Sequence, residues 1–134
     1  MDTQKKILLV EDEALIRELY TRQLTKAGFM VKPAATGEEA LQILKAESFD
    51  VLLLDIMLPG INGLQVLKEY KVLNPNASAV VVLLTNLGQD SIIKEGFDLG
   101  ASAYLIKTSY TPDQIVAEVQ SIISGTPAGG NQPP

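Results

Sequence analysis

The chain of 134 residues has no cysteine and no histidine. Without cysteine there are no disulfides, no thiolate zinc site and no cysteine nucleophile. Without histidine the chain lacks the commonest general base, the usual zinc ligand and any phosphohistidine of its own. A phosphohistidine in its chemistry would have to belong to a partner. Long hydrophobic runs are also missing. The longest wholly aliphatic stretch, Ala79 to Leu84, is far too short to cross a bilayer. The N-terminal Met1-Asp2-Thr3-Gln4-Lys5-Lys6 leads into only four apolar residues and is not expected to be a signal peptide. These absences predict a cytoplasmic protein with no membrane insertion. Positive charge is in deficit, with 11 Lys and Arg against 16 Asp and Glu. The net charge of -5 argues against direct nucleic-acid binding, which needs a basic face. The length fits one domain with a core of its own.

What the chain does contain is a set of short apolar runs, each ending on a hydrophilic residue. Ile7 to Val10 ends on Glu11 and Asp12, Val51 to Leu54 on Asp55, Val80 to Leu84 on Thr85, and Ala103 to Ile106 on Lys107. Runs of this kind read as buried strands of a parallel sheet. A further strand fits Phe29 to Ala34. Amphipathic segments alternate with the strands. Ile16, Leu19, Tyr20, Leu24 and Ala27 share helical spacing before Gly28. Thr36-Gly37-Glu38-Glu39 reads as a capping box before Ala40, Ile43 and Leu44. Gly63 opens a helix carrying Val66, Leu67, Tyr70 and Leu73, which ends before Asn74-Pro75. Ile92, Ile93, Gly96 and Phe97 mark a fourth helix, and Thr111-Pro112-Asp113-Gln114 caps a fifth with proline at its first position. The pattern is (βα)5, an α/β three-layer doubly wound fold with a five-stranded parallel sheet. Residues 1–124 form the domain. Gly125 to Pro134, rich in Gly and Pro without apolar periodicity, reads as a flexible tail or the start of a linker.

In such sheets a ligand site lies beyond the carboxyl ends of the strands. Glu11, Asp12, Asp55, Thr85 and Lys107 should therefore converge on one crevice. Three carboxylates cannot all ionise cheaply together, and a hard divalent cation such as Mg²⁺, which prefers oxygen ligands, resolves the repulsion. Asp55 is the candidate nucleophile: its carboxylate attacking phosphorus gives an acyl phosphate. Lys107 supplies a cation opposite the metal, and Thr85 a hydroxyl for a phosphate oxygen. Each residue has a plainer explanation. Glu11, Asp12 and Glu13 suit the positive end of a helix dipole, Thr85 suits a helix cap, and Lys107 suits a surface position after an edge strand. Those explanations require four independent coincidences of strand-end placement.

These stretches resemble the receiver domain of two-component response regulators over about residues 5 to 124. The resemblance rests on Ile7-Leu8-Leu9-Val10-Glu11-Asp12-Glu13, on Asp55-Ile56-Met57-Leu58-Pro59-Gly60-Ile61-Asn62-Gly63, on Thr85, and on Gly100-Ala101 through Tyr104 to Lys107. It implies a flavodoxin-like strand order 2-1-3-4-5 and a signalling switch phosphorylated on Asp55 by a partner histidine kinase or phosphotransfer protein. It further implies direct Mg²⁺ ligation by Asp12, Asp55 and the Met57 backbone carbonyl, with Glu11 acting mostly through water. Thr85 and Lys107 would hold the phosphoryl group. Thr85 and Tyr104 would act as the switch, rearranging the face of helix 4, strand 5 and helix 5 for a downstream output that the sequence does not name. On this reading the chain is no enzyme beyond its own aspartyl phosphorylation and dephosphorylation.

Four departures from the family pattern carry expectations. Thr108 stands where proline usually follows the lysine, so the Lys107 loop should be held differently. Asn86 stands where a small residue is typical. Met57 and Leu87, two residues after Asp55 and Thr85, put apolar side chains at positions that flank the hydrolytic water, which predicts slow autodephosphorylation. Ser102-Ala103 lacks the acidic pair often found in receivers that dimerise through the helix 4–strand 5–helix 5 face. Other functions compete. A haloacid-dehalogenase-type phosphatase wants a second aspartate where Met57 stands. A flavodoxin-like phosphate loop would be rich in Gly, Ser and Thr rather than Glu11-Asp12-Glu13. A pseudo-receiver, acting as a phosphorylation-independent protein docking module, remains open on Thr108 and Asn86.

Overall fold

A computed structural model describes residues 4–86 and 89–125. Five strands, β1 (Lys6–Val10), β2 (Met30–Ala34), β3 (Val51–Asp55), β4 (Val80–Thr85) and β5 (Ala103–Ile106), form one parallel sheet in the order β2-β1-β3-β4-β5. They alternate with helices α1 (Ala14–Lys26), α2 (Gly37–Ala46), α3 (Gly63–Leu73), α4 (Asp90–Asp98) and α5 (Pro112–Ser124). This is the expected doubly wound architecture and strand order. β2 starts at Met30 rather than Phe29. A short 3₁₀ turn, Lys107–Ser109, joins β5 to α5.

The central strands are buried on both sides because their side chains alternate between two aliphatic cores. Leu8, Leu52, Leu54, Val81 and Leu83 point into one core together with Leu64, Val66 and Leu67 of α3. Ile7, Leu9, Leu53, Val82 and Leu84 point into the other, with Tyr20 and Leu24 of α1 and Ile115 and Val119 of α5. The edge strand β2 is largely exposed and carries Lys32 and Pro33, which discourage further strand pairing.

Helix ends follow local chemistry. Thr111 and Gln114 form a reciprocal capping box with Pro112 at the first turn, and Asn62 and Gln65 form another. At Thr36 the box is open: its hydroxyl accepts from the Glu39 N–H, but the Glu39 carboxylate accepts from the Ala35 N–H, one residue earlier. Gly28, at φ +104°, ends the turn after α1 in a conformation open to glycine. Gly125 occupies the left-handed cap of α5 at φ +77°; the remainder of the expected tail lies outside the described residues. Among the described residues no helix is long and apolar enough to cross a membrane.

Candidate functional site

The register brings the strand-end residues together. Val10 lies beside Leu54, so Glu11 and Asp12 continue from β1 next to Asp55 at the end of β3. Asp55 lies beside Leu84, one residue before Thr85. Thr85 lies beside Ile106, one residue before Lys107. Carboxylate oxygens of Glu11, Asp12 and Asp55 all lie within 4.8 Å of one another. Glu11, Asp55 and Thr85 are buried, whereas Asp12 is exposed at the mouth.

Lys107 closes the cluster from the β5 side. Its ammonium donates to Glu11 Oε1 at 2.6 Å and to Asp55 Oδ2 at 3.1 Å. The other Asp55 oxygen, Oδ1, accepts from the Met57 N–H at 3.0 Å. Glu11 Oε2 accepts from the Glu13 N–H at 3.1 Å. Burial pushes the Glu11 carboxyl above its ordinary range; the Lys107 and Glu13 contacts oppose that, and the Asp55 charge adds to it. Burial alone would lower the Lys107 pKa, but the Glu11 hydrogen bond and the charges of Asp55 and Glu11 outweigh it, so the ammonium is held more firmly than usual.

The plainer explanations hold only in part. Glu11, Asp12 and Glu13 do lie just before the first turn of α1, with Glu13 as its N-cap residue and no side-chain hydrogen bond at the cap. α4 begins at Asp90 behind Gln89, so Thr85 is no helix cap. The Lys107 side chain is only 8% exposed. Tyr104 is half-buried, with its ring edge-on to Phe97 of α4 at 6.0 Å between centroids. The Lys107-Thr108 segment turns as a 3₁₀ helix, and the described residues contain no cis peptide bond. Asn86 is exposed beyond Thr85, and the Met57 side chain is 61% exposed. Leu87 lies outside the described residues.

Two residues position the site, of which the sequence pointed to Gly63 as a helix start and not to Arg17. Arg17 of α1 donates from Nη1 to the backbone carbonyls of Glu11 at 2.9 Å and Asp12 at 3.3 Å, fixing the acidic loop. Gly63 opens α3 directly beneath Asp55, where a Cβ would collide with the Asp55 carbonyl oxygen and approach Ile56 Cα to 2.9 Å. The only signal for Arg17 is a base one helical turn after three acids. For Gly63 it is the ninth position of the stretch that begins at Asp55.

The donor set suits a hard divalent cation. Three carboxylates face one ammonium, all the candidate ligand atoms are oxygens, and the chain has neither cysteine nor histidine.

A family model described as the response regulator receiver domain matches residues 7–120. The chain is 33% identical over 126 residues to the probable transcriptional regulator ycf27 of Guillardia theta, covering 94% of this chain and 48% of that protein. The solved structure of the BeF3-activated DrrB receiver domain, from Thermotoga maritima, aligns with TM-score 0.77 at 32% identity, over 91% of this chain and 99% of that one. A CheY-like receiver domain protein of Methanospirillum hungatei aligns with TM-score 0.83 at 26% identity, over 92% and 96% of the two chains. The chain spans about half the length of the curated relatives it matches.

Proposed function

This chain belongs to the response regulator receiver domain family, and on that premise we propose that it is a signalling switch phosphorylated on Asp55 with Mg²⁺. The observation that carries the proposal is the Asp55 carboxylate, held at both oxygens and within 4.8 Å of two further carboxylates at the end of the sheet. The Met57 N–H and the Lys107 ammonium fix its orientation, so attack on phosphorus needs little rearrangement. An Asp55 oxygen forms the new P–O bond. The bond between phosphorus and its former carrier, a phosphohistidine nitrogen or the oxygen of a small acyl phosphate, breaks, and the carrier leaves with that electron pair.

Mg²⁺, when bound, neutralises charge on the transferring group. Asp12, Asp55 and the Met57 carbonyl would hold it directly, and Glu11 through water. Until a phosphoryl group arrives, Lys107 serves as counter-ion to Glu11 and Asp55. Once Asp55 is phosphorylated, Lys107 follows the new oxygens, and the Thr85 hydroxyl donates to another. A dianion at Asp55 then biases Thr85 and Tyr104, and with them the face of α4, β5 and α5. The chain performs its own phosphorylation and dephosphorylation and no other catalysis. Its phosphoryl source is a histidine kinase or phosphotransfer protein in the cytoplasm, and its output is a protein contact. It makes no direct contact with nucleic acid.

Beryllium fluoride binding separates this reading from a docking module that has lost phosphorylation. A bound-fluoride ¹⁹F resonance that requires Mg²⁺ and disappears in Asp55→Ala is expected. A protein that binds Mg²⁺ yet never yields that resonance is the docking module instead.

A further inference from the structure

A groove of about 870 Å³ runs between α3 and α4 and opens at its upper end on the Asp12 and Met57 rim. Its walls are two facing helical stripes. Leu64 and Lys68, one turn apart, come from α3, while Ile92 and Glu95 come from α4 and Leu99 from its C-cap, at i, i+3 and i+7. Ile92 and Leu99 are half-buried, so an apolar floor stays open to water. The α4 stripe is about 10 Å long at 1.5 Å per residue, two turns of a helix.

The two rims carry opposite charges. Lys68 and Glu95 are exposed, and neither takes part in an ion pair among the described residues. Nor does either helix offer a partner at the spacing where one would reach. Lys68 has Leu64, Gln65, Lys71 and Val72 at three and four residues, and Glu95 has Ser91, Ile92, Asp98 and Leu99. The basic residue of α4 behaves differently: Lys94 pairs with Asp98 at 3.0 Å, i to i+4. An apolar floor two turns long between one unpaired cation and one unpaired anion fits a third helix with an apolar stripe, an acid on one flank and a base on the other.

We infer that the α3–α4 groove is a docking site for an amphipathic helix of a partner protein, its acid facing Lys68 and its base facing Glu95. The groove adjoins the Asp55 site at Asp12 and Met57 and shares α4 with the α4–β5–α5 face, but the inference does not depend on phosphorylation of Asp55.

The test uses the whole unphosphorylated chain without Mg²⁺ and three labelled, helix-stapled peptides, read by fluorescence anisotropy. All three share a leucine stripe at i, i+3 and i+7. One carries Glu on one flank and Lys on the other, one Lys on both, and one Glu on both. The native protein should bind the mixed peptide roughly tenfold more tightly than either single-sign peptide. Lys68→Glu makes both rims acidic and should move the preference to the all-Lys peptide. Glu95→Lys should move it to the all-Glu peptide. Both positions are exposed, so the fold should tolerate the changes, which circular dichroism checks. No saturable binding below about 1 mM, or a preference indifferent to both substitutions, overturns the inference. A concentration-dependent rise in the protein's own mass, abolished by Lys68→Glu, overturns it in favour of a second copy as occupant.

Discussion

The Lys107 ammonium lies 2.6 Å from the Glu11 carboxylate across 96 residues of sequence, with the glutamate side chain fully buried and the lysine 8% exposed. One end of the chain's first strand is thereby tied to the last strand through charge. A buried glutamate needs a partner of this kind, because removing an ion from water costs several kcal/mol unless its oxygens are engaged. One ammonium thus faces three carboxylates, a charge balance that a further cation would complete.

Repulsion among the three carboxylates should therefore limit the stability of the metal-free protein. Asp12→Ala is expected to raise unfolding free energy by about 1 kcal/mol without Mg²⁺, and to abolish the extra stability that Mg²⁺ gives the native protein by mass action. Urea titrations of both proteins, with and without Mg²⁺, check both halves.

The pH dependence of the metal-free protein follows from Glu11, and its sign is opposite to that of most carboxylates. Its folded-state pKa is raised, first by burial, above the ordinary 4.5. The folded state thus holds that proton more tightly than the unfolded chain, and stability falls as pH rises from 4.5 through the raised value. Glu11→Gln should remove that part of the slope, measured as the difference between the two proteins' thermal midpoints from pH 4 upward. Lys107 acts elsewhere. Its pKa is raised above 10.5, so its contribution is intact at neutral pH and is lost only as pH climbs through that raised value.

Gly63→Ala tests how tightly α3 is seated under Asp55. The added methyl meets the Asp55 carbonyl oxygen and comes within 3.0 Å of its carbon. Backbone cannot yield as a side chain would, so a cost of about 2 kcal/mol is expected. Displacement of the nucleophile should also slow phosphorylation by more than the fraction unfolded explains.

Met57 leaves an exposed apolar side chain where a polar one could hold the hydrolytic water. Phosphorylated protein is expected to persist well beyond seconds, and Met57→Asn with Leu87→Glu should shorten its lifetime at least tenfold, or ~1.4 kcal/mol of barrier. Loss of radiolabelled or mass-tagged phosphoryl over time measures both.

The strands and the site were legible because burial on both faces forces uninterrupted aliphatic runs, and a run that stops at Asp55, Thr85 or Lys107 marks the sheet's carboxyl edge. The α5 start at Thr111-Pro112 was legible for an equally local reason. What escaped depends on pairing between distant segments. Nothing near Lys6 indicates that its ammonium meets Glu47 at 3.1 Å while its N–H donates to Asp50 at 2.8 Å. Glu39 reaching back to Ala35 instead of Thr36 is a matter of side-chain reach that the box motif does not encode. Arg17 escaped because its acceptors are backbone carbonyls, which have no sequence signature. The α3–α4 groove depends on how far apart two helices lie, which neither helix specifies alone.

The central claim is that Asp55 accepts a phosphoryl group with Mg²⁺. Intact mass after incubation with acetyl phosphate, with and without Mg²⁺ and beside Asp55→Ala, tests it most directly. The account predicts one phosphoryl adduct on the native protein, present only with Mg²⁺ and absent from Asp55→Ala. An adduct that survives the substitution or forms equally without Mg²⁺ would contradict it, as would no adduct on a folded protein that binds the metal.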